Sequence, residues 1–171
     1  MLSALSKVNM NLKVLIWMNI PSHHQKDFFN SLRSRGIDLK ICYYERPDSK
    51  RLALGWKNYE YLPQGEQYVS GYLDALEIVP DWSERIHVIP GYRKQFLRKL
   101  IKHLSRNRVK WIHWSERATD GWRWWVSYPL KRWYAKMVNR YALGAFGIGS
   151  LALEDFSRWG IDIERCALLP Y

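Results

Sequence analysis

The sequence predicts an α/β fold: a doubly wound, mainly parallel sheet with helices on both faces. Two observations lead to this prediction. Short, almost continuous apolar runs recur along the chain, as strands require when helices cover both faces of a sheet. Segments of helical period separate these runs, and such alternation is typical of parallel α/β sheets. With 171 residues, the chain is expected to form one domain over 12–171, after a short tail at 1–11.

The first half of the chain opens with a predicted β-α-β unit. The helix of this unit should begin at a capping box formed by Ser22 and Gln25 and should end at Gly36. The strand, the helix and the second strand are predicted at 12–18, 23–35 and 38–44. The segment 46–67 contains several Pro and Gly breakers, so it is predicted to be a loop or to contain a short hairpin. The pattern at 72–81 leaves helix and strand both open.

The second half alternates strands with longer helices. A stripe of apolar residues predicts a helix at 93–106, and a Trp-rich stretch predicts another at 120–140, which Pro129 should kink or split. Gly160 should end a third helix. The remaining elements are predicted as strands at 85–89, 109–114, 142–148 and 165–171 and a helix at 151–159.

Cysteine spacing and hydropathy limit the class of protein. Cys42 and Cys166 have no metal or redox spacing, so both are predicted to be small core residues. No set of possible ligands has metal spacing, so neither a metal nor another cofactor is expected. No apolar run reaches the ~18 residues that span a bilayer, and 1–11 lacks the apolar core of a signal peptide. The protein is therefore expected in the cytoplasm.

The positive charge is concentrated in one segment. Residues 93–140 contain fourteen Lys and Arg against two acids, a net charge of +12, whereas the whole chain carries +11. The rest of the chain is therefore close to neutral. One face of the domain is expected to meet an anionic partner, which could be a membrane surface, a nucleic acid or a phosphorylated substrate.

Polar side chains follow the strand predicted at 109–114. His113, Ser115, Glu116 and Arg117 stand where this strand should end. Because ligands of open α/β sheets sit beyond the carboxyl ends of the strands, this cluster is a candidate site. The alternative is that these residues only cap the next helix, with Ser115 or Asp120 at the N-cap.

Four pieces of the chain resemble the N-terminal domain of a GT-B glycosyltransferase of the retaining family 4 type. The resemblance covers most of the chain, and its last piece is the most specific. The pieces are the strand 14–18 with the following helix at 24–29, the strand and turn 88–92, the strand end 113–116, and the run of 147–152, 158–160, 164–165 and 169–171.

The resemblance implies a Rossmann-like domain that binds the acceptor in such an enzyme. It implies transfer of a sugar, with retention, from a nucleotide sugar to a glycan or lipid-linked acceptor in surface polysaccharide or glycolipid assembly, lipopolysaccharide included. In this family a second Rossmann-like domain holds the nucleotide sugar. The present chain is expected to lack that domain, and so to be an inactive half by itself.

The resemblance also suggests roles for individual residues. His113 would lie in the catalytic cleft, where an imidazole of near-neutral pKa could handle a proton or bind a sugar hydroxyl. The residues predicted to bind substrate are His23, His24, Gln25, Gly91, Tyr92, Ser115, Glu116 and Arg117. For the residues near the first helix, a capping role is the alternative. The whole interpretation depends on the His113 imidazole facing a crevice at the ends of parallel strands.

The basic helix at 93–106 is predicted to lie against the inner face of the cell membrane. Its cationic side chains would attract anionic lipid while Trp residues of 120–140 settle at headgroup depth. The predicted membrane-binding residues are Arg93, Lys94, Arg98, Lys99, Lys102 and Arg106. The alternative hypothesis is a basic nucleic-acid-binding protein without catalytic activity, in which the aromatic residues stack on bases. No nucleic-acid-binding motif is present, so the first hypothesis is preferred.

Overall fold

Seven strands form one parallel sheet. The computed structural model describes residues 12–55, 61–117 and 122–169, with the backbone alone at 23–24 and 122–125. The strands are β1 (Lys13–Met18), β2 (Asp38–Tyr43), β3 (Glu66–Tyr68), β4 (Ile86–Ile89), β5 (Trp111–Glu116), β6 (Gly144–Ile148) and β7 (Cys166–Leu169). Their order is β3-β2-β1-β4-β5-β6-β7, and every pairing is parallel. The predicted doubly wound α/β fold is confirmed, and its first six strands have the Rossmann order.

In the described residues, six α-helices connect the strands and cover both faces of the sheet. They are α1 (His23–Ser34), α2 (Ser49–Ala53), α3 (Tyr72–Ile78), α4 (Gln95–Arg106), α5 (Trp122–Tyr141) and α6 (Ser150–Trp159). One core cluster packs α3, α4, α5 and α6 on one face of the sheet. A second cluster packs α1 on the opposite face and includes Phe29, Ile16 and Ile41. The continuous apolar runs of the inner strands thus fill two cores, as a sheet between two helical layers requires.

The region after β2 differs from the prediction. No hairpin occurs in the described part of 46–67; the chain instead forms α2 and then β3, which pairs parallel with β2. All three residues of β3 are half-buried, and none of them is aliphatic, so no apolar run marked this strand. The ambiguous segment 72–81 forms α3, which buries Ala75 and Leu76.

Three local predictions differ from the structure in whole or in part. Ser22 is the N-cap residue of α1, but its side chain makes no capping hydrogen bond, so the predicted capping box does not form. Pro129 was predicted to kink or split the long helix, and α5 continues through it, so the split does not occur. The fifth strand ends at Glu116 rather than Trp114, so Ser115 and Glu116 belong to β5. Cys42 is buried as predicted, whereas Cys166 is only half-buried.

Candidate functional site

The ends of β1 and β4 form the topological switch point of the sheet. The chain leads from β1 toward β3 on one side, and from β4 toward β7 on the other. In open α/β sheets a ligand binds in the crevice outside the strand ends at such a point. Two turns, 19–22 after β1 and 90–94 after β4, flank this place, and each leads into a helix of 12 residues. We call the space between these two turns the switch-point crevice.

An ion pair reaches across the end of β1. Lys94, which follows β4, pairs with the carboxylate of Glu45, which follows β2. The backbone N–H of Glu45 also donates to the carbonyl of Asn19, at 2.8 Å. The segments that follow three neighbouring strands are thereby connected at the carboxyl edge of the sheet.

His113 lies in the interior and does not face the crevice. Its side chain is 1% exposed and packs against the rings of Phe156 and Trp159. Burial lowers the pKa of His113 to about 3, so the imidazole is neutral at physiological pH. The expectation of an imidazole facing the crevice is therefore wrong. The reason is that β5 runs past Trp114, which leaves His113 inside the strand, on the face that α5 and α6 cover.

Both imidazole nitrogens of His113 have side-chain partners. Nδ1 lies 2.9 Å from the hydroxyl of Tyr134 on α5, and Nε2 lies 3.1 Å from Oγ of Ser115. His113 and Ser115 share a face of β5, because side chains two residues apart in a strand point the same way. Tyr134 is fully buried, whereas Ser115 is half-buried near the strand end. The three side chains form a polar chain from the core toward the carboxyl edge.

The turn after β4 covers this polar chain. Gly91 has a φ of 101°, and a Cβ at this position would lie 3.8 Å from Cε1 of His113. Tyr92 is also buried, with its ring centroid 4.3 Å from that of Tyr134 and its ring nearly perpendicular to that of Trp159. Burial raises the pKa of Tyr92 to about 12. Gly91 and Tyr92 therefore pack over the His113 cluster and present little surface to a ligand.

The other predicted substrate-binding residues lie nearer to solvent. Glu116 ends β5 and Arg117 follows it, and both are exposed. Gln25 lies in the first turn of α1, where its Oε1 is buried without a hydrogen-bond partner. The side chains of His23 and His24 lie outside the described part of the structure, so their predicted contacts stay predictions.

The basic face of α4 is present, and its residues differ in environment. Leu97, Leu100, Ile101 and Leu104 are buried, which confirms the predicted apolar stripe. Arg98 donates from Nη1 to the carbonyls of Tyr92 and Arg93, at 3.1 and 3.2 Å. Nζ of Lys102 lies 5.8 Å from the ring centroid of Trp133 on α5. The exposed members of the face are Arg93, Lys94, Lys99, Lys102 and Arg106.

Sequence reasoning missed the residues that enclose His113. Tyr134, Phe156 and Trp159 come from two helices, α5 and α6, and stand at least 21 positions after His113 in the sequence. Aromatic residues are spread widely over α5, so no stripe distinguished Tyr134 from its neighbours. The small residues of β6 gave the only signal. Gly147 lets α6 approach closely, since a Cβ there would lie 2.7 Å from Cδ2 of Leu153.

A second buried polar group lies at the opposite, amino edge of the sheet. Arg85 is 3% exposed and forms ion pairs with Asp81 and Asp38, both at 2.7 Å. The guanidinium holds the pKa of the Asp81 carboxyl at about 2. An open pocket of about 370 Å³ lies beside Arg85, with Lys40 and Glu66 also in its wall. Because the carboxylates neutralise the guanidinium, we interpret this group as structural.

The comparisons with family models, curated proteins and solved structures give no match for this chain. The fold itself is established as a Rossmann-like α/β domain with a seven-strand parallel sheet. In the described ranges, no helix is long and apolar enough to cross a membrane. Within the same ranges, no three His, Cys, Asp or Glu side chains are grouped to hold a metal ion.

Proposed function

We propose that the chain is the acceptor-binding domain of a retaining glycosyltransferase that acts in the assembly of surface polysaccharide or glycolipid. The observation that carries the proposal is the strand order, because it brings the turns 19–22 and 90–94 together at one switch-point crevice. These turns belong to two of the pieces that resemble the family. Since one fold hosts many functions, the proposal depends on the site and is open to a direct test.

In this proposal the acceptor contacts the exposed end of β5 and the switch-point crevice. Ser115, Glu116 and Arg117 offer a hydroxyl, a carboxylate and a guanidinium, which suit the hydroxyl and phosphate groups of glycans and lipid-linked sugars. The imidazole of His113, on which the sequence-based interpretation depended, is buried and neutral, so that support is lost and the proposal gives His113 no proton transfer. The proposal now depends on the parallel strand order and on the exposed end of β5. The nucleotide sugar would be held by a second Rossmann-like domain, as the resemblance implies.

The proposed partner surface is an anionic membrane that α4 contacts. This helix has no acidic residue, and its basic face starts beside the switch-point crevice. Clustered Lys and Arg are each attracted to anionic lipid by about 1 kcal/mol near the surface. A membrane held at this face would bring a lipid-linked acceptor close to the crevice.

The burial of the aromatic residues disfavours the nucleic-acid alternative. A stacking platform needs exposed rings, but nine aromatic residues of the described chain lie in the core. These buried residues are Trp17, Phe29, Tyr43, Tyr92, Trp111, Trp114, Tyr134, Phe156 and Trp159. Of the described rings, only Tyr61 and Tyr141 are exposed, so the described part of the chain offers few rings for base stacking.

Saturation-transfer NMR on the purified chain tests the proposal. The probes are oligosaccharides from bacterial surface polysaccharides, a nucleotide sugar and single-stranded DNA. We expect saturation transfer to at least one oligosaccharide, reduced in Ser115→Ala and Glu116→Ala. Ser83→Ala, at an exposed serine on the amino edge, is the matched control and should behave as the unsubstituted chain. Salt-dependent DNA binding without any glycan binding would overturn the proposal in favour of the alternative.

A further inference from the structure

Only one assignment of donors and acceptors around His113 pairs every buried donor. Tyr134 is fully buried, and His113 is the one hydrogen-bond partner found for its hydroxyl in the described structure. An unpaired buried O–H would cost about 1–3 kcal/mol, so this hydroxyl donates to Nδ1 of His113. Nδ1 therefore carries no proton.

The same reasoning assigns the donor in the hydrogen bond between His113 and Ser115. A neutral imidazole has one N–H group, and with Nδ1 accepting, the proton is at Nε2. Nε2 then donates to Oγ of Ser115 across 3.1 Å. The hydroxyl of Ser115 receives a hydrogen bond from the core and keeps its own proton for another partner. Since Ser115 is half-buried near the end of β5, that proton can reach a ligand at the carboxyl edge.

We propose that Tyr134 and His113 are positioning residues that make the Ser115 hydroxyl a fixed hydrogen-bond donor to a ligand oxygen. The inference rests on the proposed function for the identity of the ligand, which is the acceptor glycan. It specifies the contact: the glycan oxygen accepts from Ser115, so its own proton, if it has one, points away from His113. This arrangement differs from a nucleophilic serine, whose hydroxyl must instead donate to the histidine.

Gly91 and Tyr92 hold the hydrogen-bonded side chains of Tyr134 and His113 in place. The Gly91 backbone lies over the Cε1 edge of the imidazole, and the Tyr92 ring packs on Tyr134. The turn after β4 thus covers the buried end of this hydrogen-bonded series. Two segments that resemble the family, 88–92 and 113–116, are joined in this way through a residue of α5 that neither segment contains.

Nitrogen NMR of the full chain tests the proposal without any ligand. The imidazole signals of His113 are assigned through bonds in a protein labelled with ¹⁵N and ¹³C. We expect a protonated Nε2 and an unprotonated Nδ1 at pH 7, and the same pattern at pH 5. A protonated Nδ1 at pH 7 would reverse the hydrogen bonds and overturn the proposal.

Tyr134→Phe adds a second measurement, because it removes the hydroxyl and keeps the ring. Without this hydroxyl, Nδ1 loses the donor that keeps it unprotonated, so the proton is no longer restricted to Nε2. We expect the two nitrogen signals to move toward each other as the tautomers exchange. An unchanged pattern would show that Tyr134 does not set the tautomer, and the proposal would fail.

Binding of the oligosaccharide found by saturation transfer gives the functional readout. Loss of one hydrogen bond weakens binding by about threefold to tenfold. We expect a loss of this size in both Ser115→Ala and Tyr134→Phe, and no further loss in the double variant. If the losses of affinity in the two single variants add up in the double variant, Ser115 and Tyr134 do not act through one series of hydrogen bonds, and the proposal is contradicted. If no glycan binds, the proposed function fails, while the nitrogen signals still decide the direction of the hydrogen bonds.

Discussion

The indole Nε1 of Trp17 donates to Nδ1 of His87 across 3.1 Å in the core between β1 and β4. This bond fixes the tautomer of His87, whose Nε2 then donates to the carbonyl of Trp82 at 2.9 Å. Burial lowers the pKa of His87 to about 4, although the Trp82 carbonyl opposes the shift. The core thus contains two neutral imidazoles with fixed partners, His87 and His113.

These two histidines predict a loss of stability on mild acidification. Their folded pKa values of about 4 and about 3 lie below the ordinary 6.5, so below pH 6.5 the unfolded chain binds more protons. The contribution of the two neutral histidines to the free energy of unfolding is fully present above pH 6.5. It falls as the pH decreases toward the folded pKa values, about 4 for His87 and about 3 for His113. We expect a loss of about 2 kcal/mol per histidine by pH 5, measured by urea unfolding between pH 7.5 and 5.

His87→Gln provides the control for this pH dependence. The amide can still accept from Trp17 and donate to Trp82, but it does not titrate. The decrease in unfolding free energy between pH 7.5 and 5 should be about half that of the unsubstituted chain. An equal decrease in both proteins would assign the pH dependence to other groups.

Arg85 is expected to stabilise the amino edge of the sheet. Arg85→Ala would remove the partner of the Asp81 and Asp38 carboxylates, which are only partly buried. We therefore expect a loss of about 2–3 kcal/mol in urea unfolding, below the range for a fully buried pair. Arg85→Lys keeps the charge but not the guanidinium fork, so an intermediate loss is expected. A variant Arg85→Ala as stable as the parent would contradict this role.

Gly144 is expected to control the pairing of β6 with β7. A Cβ at this position would collide with the backbone carbonyl of Arg165, which cannot rotate away. Gly144→Ala should therefore lower the unfolding free energy by about 2–3 kcal/mol, as overpacked sites do. Gly71→Ala is the matched control, since nothing lies within 4 Å of a Cβ there. Similar small losses in both variants would show that the sheet edge adjusts freely.

The proposed membrane face predicts a specific effect of charge reversal. Lys99→Glu with Arg106→Glu reverses two exposed charges of α4, and we expect at least about tenfold weaker binding to vesicles containing phosphatidylglycerol. Flotation with and without the anionic lipid measures this binding. Arg35→Glu with Lys50→Glu makes the same charge change near α1 and α2. If both pairs lose binding equally, net charge rather than the α4 face is responsible.

The fold was predictable from the sequence wherever strands are mostly apolar. β1 is apolar after Lys13, β2 from Ile41 to Tyr43, and β4 except at His87. The glycines that end α1 and α6 have the expected positive φ. β3 was missed because Glu66 and Gln67 are polar and only half-buried, so its pairing depends on tertiary contacts alone. Local pattern therefore specifies the centre of the sheet better than its edge.

The candidate site was less predictable, because an error of two residues in the predicted end of β5 changes which side chains lie at the strand end and which lie in the core. Polar residues at 113–117 suggested that β5 ends at Trp114, whereas it continues to Glu116. His113 is consequently a core residue. Its partner Tyr134 is 21 positions away on α5, and no periodic signal in that helix indicates which aromatic ring points inward.

The contact between Lys94 and Glu45 has a consequence for any molecule that enters at the end of β1. An anionic ligand there meets an ammonium group that already has one carboxylate partner, so it must share that group with Glu45 or replace Glu45. The two side chains remain partly in water, so separating them requires little free energy. A ligand at the end of β1 should therefore separate the two side chains only if its own oxygens bind Lys94 as well as the Glu45 carboxylate does. A neutral sugar hydroxyl would leave the ion pair intact.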